Sequence, residues 1–205
     1  MSIVNNKHKH TFIHIPKTAG HSMQDLPWVG RTCHTSALEF QQAGMWRDDY
    51  FSWTFVRNPY DRFVSSYEWA RQTWNAVWQL RFGITKNDLA TFENYLSWVE
   101  RTGGHKNDNR QQSEFICDQD GKIIVDFVGR FENLAEDWDF VCQTVLGHSS
   151  PLPHKNKTNR RSTDSYYTEE QKKRVYKLYK TDFDNFAVFS NFGRNNYIQK
   201  RKSML

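Results

Sequence analysis

The segment FIHIPKTAGHSM, residues 12–23, decides how the rest of the chain is read. Thr11-Phe12-Ile13-His14-Ile15 is a short run of strand-forming residues, and Pro16, which cannot donate to a strand ladder, stops it. Lys17-Thr18-Ala19-Gly20 turns the chain, and His21-Ser22-Met23 opens a short helix. A tight passage from a buried strand into a helix aims backbone N–H groups and the positive helix end at one spot, which suits an anion. Lys17 supplies a mobile cation at that turn and Ser22 a hydroxyl. The spacing is not the GxxxxGKS/T of nucleoside triphosphatases, so on these residues alone a plain surface turn remains equally open.

The same grammar recurs at FVRNPYDRFVSSY, residues 55–67. The strand Phe51 to Val56 ends at Arg57-Asn58-Pro59, and Ser65 falls two turns into the helix that follows. Arg57 can fork onto a phosphate and Ser65 can donate a hydroxyl to the same group. An arginine merely paired with Asp61 at a helix start explains Arg57 as well.

Working outward, Phe63, Tyr67, Ala70, Trp74 and Val77 are spaced at threes and fours, which predicts one helix over 60–80. Trp69, Trp74 and Trp78 share that helical spacing and read as core. Leu89 to Val99 reads as helix, Asp120-Gly121 as a turn, Ile123 to Val128 as strand, and Leu134 to Val145 as a helix ending near Gly147. Residues 149–163 read as loop, and Thr168-Glu169-Glu170-Gln171 is a capping pattern that opens a last helix. Strands alternating with helices predict an α/β fold whose central, mainly parallel sheet is flanked by helices in three layers. A single domain over 1–205 is expected, with a polar lead-in at 1–10 and a basic tail at 194–205.

Charged residues make up 25% of the chain and apolar ones 38%, which excludes wholesale disorder. Lys and Arg number 28 against 23 Asp and Glu, a net charge of +5 that suits an anionic ligand only mildly. No apolar run approaches the ~20 residues that cross a bilayer. Cys33, Cys117 and Cys142 are odd in number and widely spaced, so they read as reduced thiols rather than as a disulfide frame or zinc site. A cytoplasmic protein is the expectation.

Together the two phosphate-type motifs resemble the sulfotransferase superfamily, in the branch that includes the carbohydrate and heparan sulfate 2-O-sulfotransferases. Residues 12–23 are similar to its 5′-phosphosulfate loop and residues 55–67 to its 3′-phosphate motif. DFVGRFENLAEDW (126–138), LPHKNKT (152–158) and the blocks YYTEEQ (166–171) and LYKTDFDNF (178–186) extend the likeness along nearly the whole chain. The resemblance implies a P-loop-like fold and transfer of the sulfuryl group of 3′-phosphoadenosine-5′-phosphosulfate (PAPS) to an acceptor hydroxyl, leaving PAP. It implies that Lys17 contacts the phosphosulfate and steadies the leaving group, with Thr18, Ala19, Gly20, His21 and Ser22 around the same phosphate. Arg57 and Ser65 would hold the 3′-phosphate, and Arg130 and the 155–161 loop, Lys155 first, would add donor contacts. His21 departs from the family, which often carries Thr or Ser there.

The attacking hydroxyl must lose its proton. His34, just upstream of a helix, stands where the family's catalytic histidine does, and an unperturbed imidazole titrates near ~6.5. His14 reads as structural, and His105 and His154 as loop residues able to meet substrate. Glu39 and Glu114 are candidates to orient a base, and Gln111-Gln112-Ser113 reads as a polar loop edge. No metal is expected. The expected partner is a small-molecule or saccharide acceptor, with no nucleic acid and no membrane span; oligomeric state is not encoded in any visible pattern. Three other readings stay open: a kinase with a related phosphate loop, a basic nucleic-acid-binding domain, and a sulfotransferase fold that binds without catalysis.

Overall fold

The computed structural model describes residues 4–30, 33–153 and 160–186. Four strands form one sheet in chain order: β1 (Val4–Asn5), β2 (His10–Phe12), β3 (Phe51–Val56) and β4 (Phe127–Arg130). β2, β3 and β4 run parallel, while β1 pairs antiparallel with β2. Residues 4–10, expected as a polar lead-in, therefore supply the edge of the sheet.

β3 is buried along its whole length, as a central parallel strand must be when helices cover both faces. Its side chains alternate between two layers. Phe51, Trp53 and Phe55 join Phe12, Met23, Trp138 and Val141 in one apolar cluster, beneath α1 (Gly20–Gln24) and α7 (Leu134–Leu146). Val56 turns the other way, with Ile13, Ile15, Phe40, Phe115 and Ile116, towards α2 (Ala37–Gln42) and α6 (Ser113–Ile116). Polar Ser52 and Thr54 are buried yet satisfied: Thr54 donates to the Ile13 carbonyl at 2.7 Å, and Ser52 donates to the Asp126 carboxylate at 2.7 Å. A third cluster, built on Phe63, Tyr67, Tyr95, Trp98 and Tyr179, holds α3 (Pro59–Thr73), α5 (Phe92–Thr102) and α8 (Glu169–Leu178) together beside the sheet.

The expected mainly parallel sheet flanked by helices is what forms, with differences in its detail. The helix predicted over 60–80 is two: α3 ends at Thr73, and Asn75 caps a separate α4 (Ala76–Phe82) by accepting from the Trp78 N–H. That local cap overrides the apolar stripe, and α4 buries none of its residues. The strand expected over Ile123–Val128 starts only at Phe127, because the Asp126 carboxylate accepts from the Ser52 N–H at 2.9 Å where a ladder carbonyl would stand. The predicted capping box forms, with Thr168 and Gln171 bonded reciprocally, and a second one not anticipated from the sequence joins Ser36 and Glu39. α9 (Lys180–Phe186) follows α8. Lys155, His154 and the basic tail lie outside the described residues.

Candidate active site

The loop between β2 and α1 holds an unusual backbone. Lys17 and Ala19 both adopt φ 71°, a left-handed conformation that costs a non-glycine residue energy and that concentrates at functional sites. Left-handed residues interleaved with others turn successive N–H groups to one side, forming a nest for an anion. The loop is locked from inside. Thr18 is buried and donates its hydroxyl to the Ile15 carbonyl at 2.8 Å, and the Ser22 N–H donates to the Ala19 carbonyl at 2.9 Å. Gly20 lies flat on the His14 imidazole; a Cβ there would come within 2.0 Å of Nε2.

The second motif meets the first. Arg57, at the end of β3, donates from Nη1 to the Lys17 carbonyl at 3.0 Å and from Nε to Asp61 at 2.6 Å, and its guanidinium covers the Phe131 ring at 4.0 Å. Asp61 also accepts from Arg160 at 2.5 Å and from the Thr163 hydroxyl. Burial works to raise the Asp61 carboxyl, but Arg57, Thr163 and Arg160 hold it below its ordinary value. The pairing of Arg57 with Asp61 is thus real, and so is the junction with the Lys17 loop. Gln112 fixes the Arg57 backbone from both sides, accepting from its N–H and donating to its carbonyl, each at 2.9 Å; this is a structural duty, beyond a polar loop edge. Ser65 is buried on α3, one turn past Asp61 and one turn before Trp69, on the same helix face. Arg130 ends β4 opposite Val56, at the same sheet end as Arg57, and lies 3.9 Å from Glu132.

Positive charge is in excess here. Burial pushes the Lys17 ammonium down from 10.5 to about 8; Arg57, Arg62 and Arg160 press in the same direction and Asp108 opposes them. Arg160 leaves Nη1 buried without a hydrogen-bond partner among the described residues. Arg62 is buried and spent on three backbone carbonyls, those of Pro16, Asn107 and Arg110.

Lys17 Nζ sits over the Trp69 ring, 4.8 Å from its centre, and Trp69 walls a cavity of about 750 Å³. Its other aromatic walls are Trp78 and Phe82, which pack against the core on one side and line the cleft on the other; Trp74 packs against the same core and donates to the Ile84 carbonyl at 3.0 Å. Arg81, Lys106 and Arg110 bring positive charge and Glu39 a carboxylate. His34 and His105 both line the cleft.

His34 Nδ1 lies 3.2 Å from the His14 carbonyl oxygen. A carbonyl only accepts, so in the neutral ring Nδ1 carries the proton and Nε2 keeps its lone pair. The His34 ring packs 4.6 Å from that of His14, which meets His21 edge-on at 5.7 Å. Burial, with His34 and His21 close by, holds His14 neutral, well below its usual range. His21 is lowered by burial, Lys17 and His34, and its Nδ1 pairs with Gln24 at 2.8 Å. Glu39 is committed to the Ser36 cap at 2.6 Å, and Glu114 to Arg110 at 3.2 Å.

Lys17 through Ser22 and Arg57 thus share one cradle, with Ser65 on the adjoining helix face, and His34 stands in the neighbouring cleft. Arg160, Asp61, Asp108 and His14 also belong to this region. Their positions depend on contacts across the fold; Asp61 is legible as a partner for Arg57, His14 as a structural residue and Arg160 as part of a basic loop, while Asp108 carries no sequence signal. Among the described residues, no group of three or more His, Cys, Asp or Glu side chains is placed to hold a metal ion.

This arrangement defines a two-part site, a positively charged cradle at the end of a parallel sheet beside an open cleft. A model described as the sulfotransferase family matches residues 1–189, and the chain belongs to that family. It is similar to carbohydrate sulfotransferase 11 of Mus musculus, 27% identical over 179 aligned residues covering 73% of this chain and 49% of the relative. The protein of the same name from Rattus norvegicus is 26% identical over the same coverage. The chain spans about half the length of the curated relatives it matches.

Proposed function

We propose that the chain transfers the sulfuryl group of PAPS to a hydroxyl of a saccharide. The observation that carries this reading is the Arg57 hydrogen bond to the Lys17 carbonyl, which joins the two phosphate-type motifs into one cradle beside the cleft that contains His34. The residues fit the donor. Lys17, Arg57 and Arg160 crowd positive charge together, one buried guanidinium nitrogen lacks a partner, and an anion with two separate phosphate groups answers that excess. When bound, PAPS supplies an activated sulfuryl group and a phosphate leaving group.

Each residue has a role in this reading. The N–H groups from Thr18 to Ser22 and the Lys17 ammonium hold the phosphosulfate, and Lys17 offsets charge gathering on the departing oxygen. Arg57 and Ser65 hold the 3′-phosphate, joined by Arg160; Arg130 and Lys155 are further donor contacts. His34 Nε2 takes the acceptor proton as the new O–S bond forms and the S–O bond to phosphate breaks. Trp69, Trp78 and Phe82 offer flat apolar walls beside polar groups, the make-up of a sugar site, and the relatives' name points to carbohydrate. The proposal places the enzyme in the cytoplasm, which its three free thiols support.

The test is calorimetric titration with PAP, ADP and ATP, repeated on Arg57→Ala. Tight PAP binding that needs Arg57 supports the reading. An ATP preference favours a kinase, and steep salt-dependent binding of random oligonucleotides favours a nucleic-acid partner.

A further inference from the structure

The peptide groups of Arg57 are held by something other than the sheet. The ladder between β3 and β4 ends at the pair Val56 and Arg130, one residue short of Arg57. Beyond it stands the side-chain amide of Gln112, whose Oε1 accepts from the Arg57 N–H and whose Nε2 donates to the Arg57 carbonyl, each at 2.9 Å. A primary amide carries the donor and acceptor of a peptide group, so this one side chain does for Arg57 what a neighbouring strand does inside a ladder. Gln112 has no exposed surface, and neither bond has solvent to compete with it.

Gln112 is itself held by α9. Asp182 also has no exposed surface; one of its carboxylate oxygens accepts from the Gln112 N–H and the other from the Ser113 N–H, each at 2.8 Å. Just upstream, the Tyr179 hydroxyl donates to the Asn109 carbonyl at 3.0 Å, and Arg62 Nη1 donates to the Arg110 carbonyl at 2.8 Å. Residues 109–113 are thus pinned along their backbone, and the Gln112 amide is pinned with them. The direction of the Arg57 side chain follows, and with it the guanidinium contacts to Asp61 at 2.6 Å and to the Lys17 carbonyl at 3.0 Å.

We infer that Gln112 and Asp182 are positioning residues for the donor: Asp182 fixes Gln112, Gln112 fixes the peptide groups of Arg57, and this relay aims the guanidinium at the 3′-phosphate. Resting on the sulfotransferase reading, the relay makes discrimination between PAP and nucleotides without a 3′-phosphate depend on two buried side chains outside the cradle. The reason is geometric. A guanidinium fork grips a phosphate best with two parallel bonds at a set angle. An arginine with a loose backbone would lose that freedom at each binding event, and the ordering would subtract from affinity.

Calorimetry with PAP and ADP on the full chain tests this, because the ratio of the two affinities isolates the 3′-phosphate. Gln112→Met keeps the length of the side chain and removes both bonds to Arg57, and the ratio should fall about tenfold. Asp182→Asn keeps an accepting oxygen for one of the two N–H groups and should lower the ratio in the same direction, by about threefold. Both substitutions are then repeated in Arg57→Ala. With no guanidinium left to aim, neither should lower the ratio further. Melting curves establish that each variant is folded at the temperature of measurement, and Asp182→Asn carries the test alone if Gln112→Met does not fold. An unchanged ratio in a folded variant, or an equal fall in the Arg57→Ala background, rejects the relay and leaves the pair a merely structural role. A wild-type ratio near one instead sinks the 3′-phosphate reading of Arg57 itself, whatever the variants do.

Discussion

Arg57 donates to the carbonyl oxygen of Lys17 across 3.0 Å, although 40 positions separate them in the chain. This bond makes the conformation of the first loop depend on a side chain of the second. Because Lys17 is in a left-handed conformation, its carbonyl would otherwise have few reasons to point where it does.

Arg57→Ala should therefore do more than remove one phosphate contact. Losing a charge-assisted hydrogen bond to the 3′-phosphate weakens PAP binding by about 10- to 100-fold, and release of the Lys17 loop adds to it. ADP, which has no 3′-phosphate, separates the two effects by calorimetry: loss of ADP affinity in Arg57→Ala measures the loop contribution alone. Arg57→Lys keeps the charge but not the fork and should stay well below wild type.

Lys17 gives a pH signature. With its ammonium pressed down to about 8, the free protein loses this charge above that pH, and donor binding must then take up a proton. PAP affinity should be nearly level below pH 7 and fall above 8, approaching tenfold per unit. Lys17→Met should abolish that part of the pH dependence. Stability moves oppositely. The unfolded chain binds this proton up to the ordinary value of 10.5, so between about 8 and 10.5 it holds more protons than the folded one, and stability rises with pH across that window. Lys17→Met should melt at least as high as wild type at pH 7 while binding PAP poorly. A variant that melts lower and binds normally contradicts the assignment.

His34→Ala and His34→Gln should lower turnover by about 10²- to 10⁴-fold while leaving PAP affinity intact. Calorimetry alongside a radiolabelled transfer assay checks this, and unchanged turnover removes His34 from the role of base.

The sheet and its helices were legible because their signals are local. β3 runs over Phe51–Val56 as read, α7 stops at Gly147, and the Thr168–Gln171 capping box forms where the residues spell it. Errors arose where one polar side chain outweighed an apolar pattern: Asn75 restarts the helix, and Asp126 replaces a stretch of ladder. The site divides in the same way. The loop 17–22 and Arg57 announce themselves because their chemistry is carried by consecutive residues. Asp108 does not, and Arg160 shows only as part of a basic loop, since their neighbours are brought to them from across the fold: Arg160 meets Asp61 over 99 positions. The cleft walls were only half legible. Apolar spacing shows that Trp78 packs against the core, but not that Trp69 and Trp78, on two separate helices, also wall an open cleft.

Gly20 supplies the sharpest test of the loop's construction. It has no room for a side chain, since a Cβ would sit 2.0 Å from His14 Nε2 and 2.1 Å from Cδ2. His14 cannot retreat easily: it is 2% exposed, stacked on Phe12 at 5.7 Å, and its carbonyl holds His34. Gly20→Ala should therefore cost about 1–3 kcal/mol of stability by overpacking and weaken PAP binding by displacing the N–H nest. Truncating the imidazole in the double variant His14→Ala/Gly20→Ala makes space for the methyl group. If the collision is the cause, the double variant is more stable than the sum of the two single losses, with a favourable coupling of about 1 kcal/mol or more in chemical denaturation. Additive losses would mean that the loop tolerates a side chain at residue 20 and that its shape is set elsewhere.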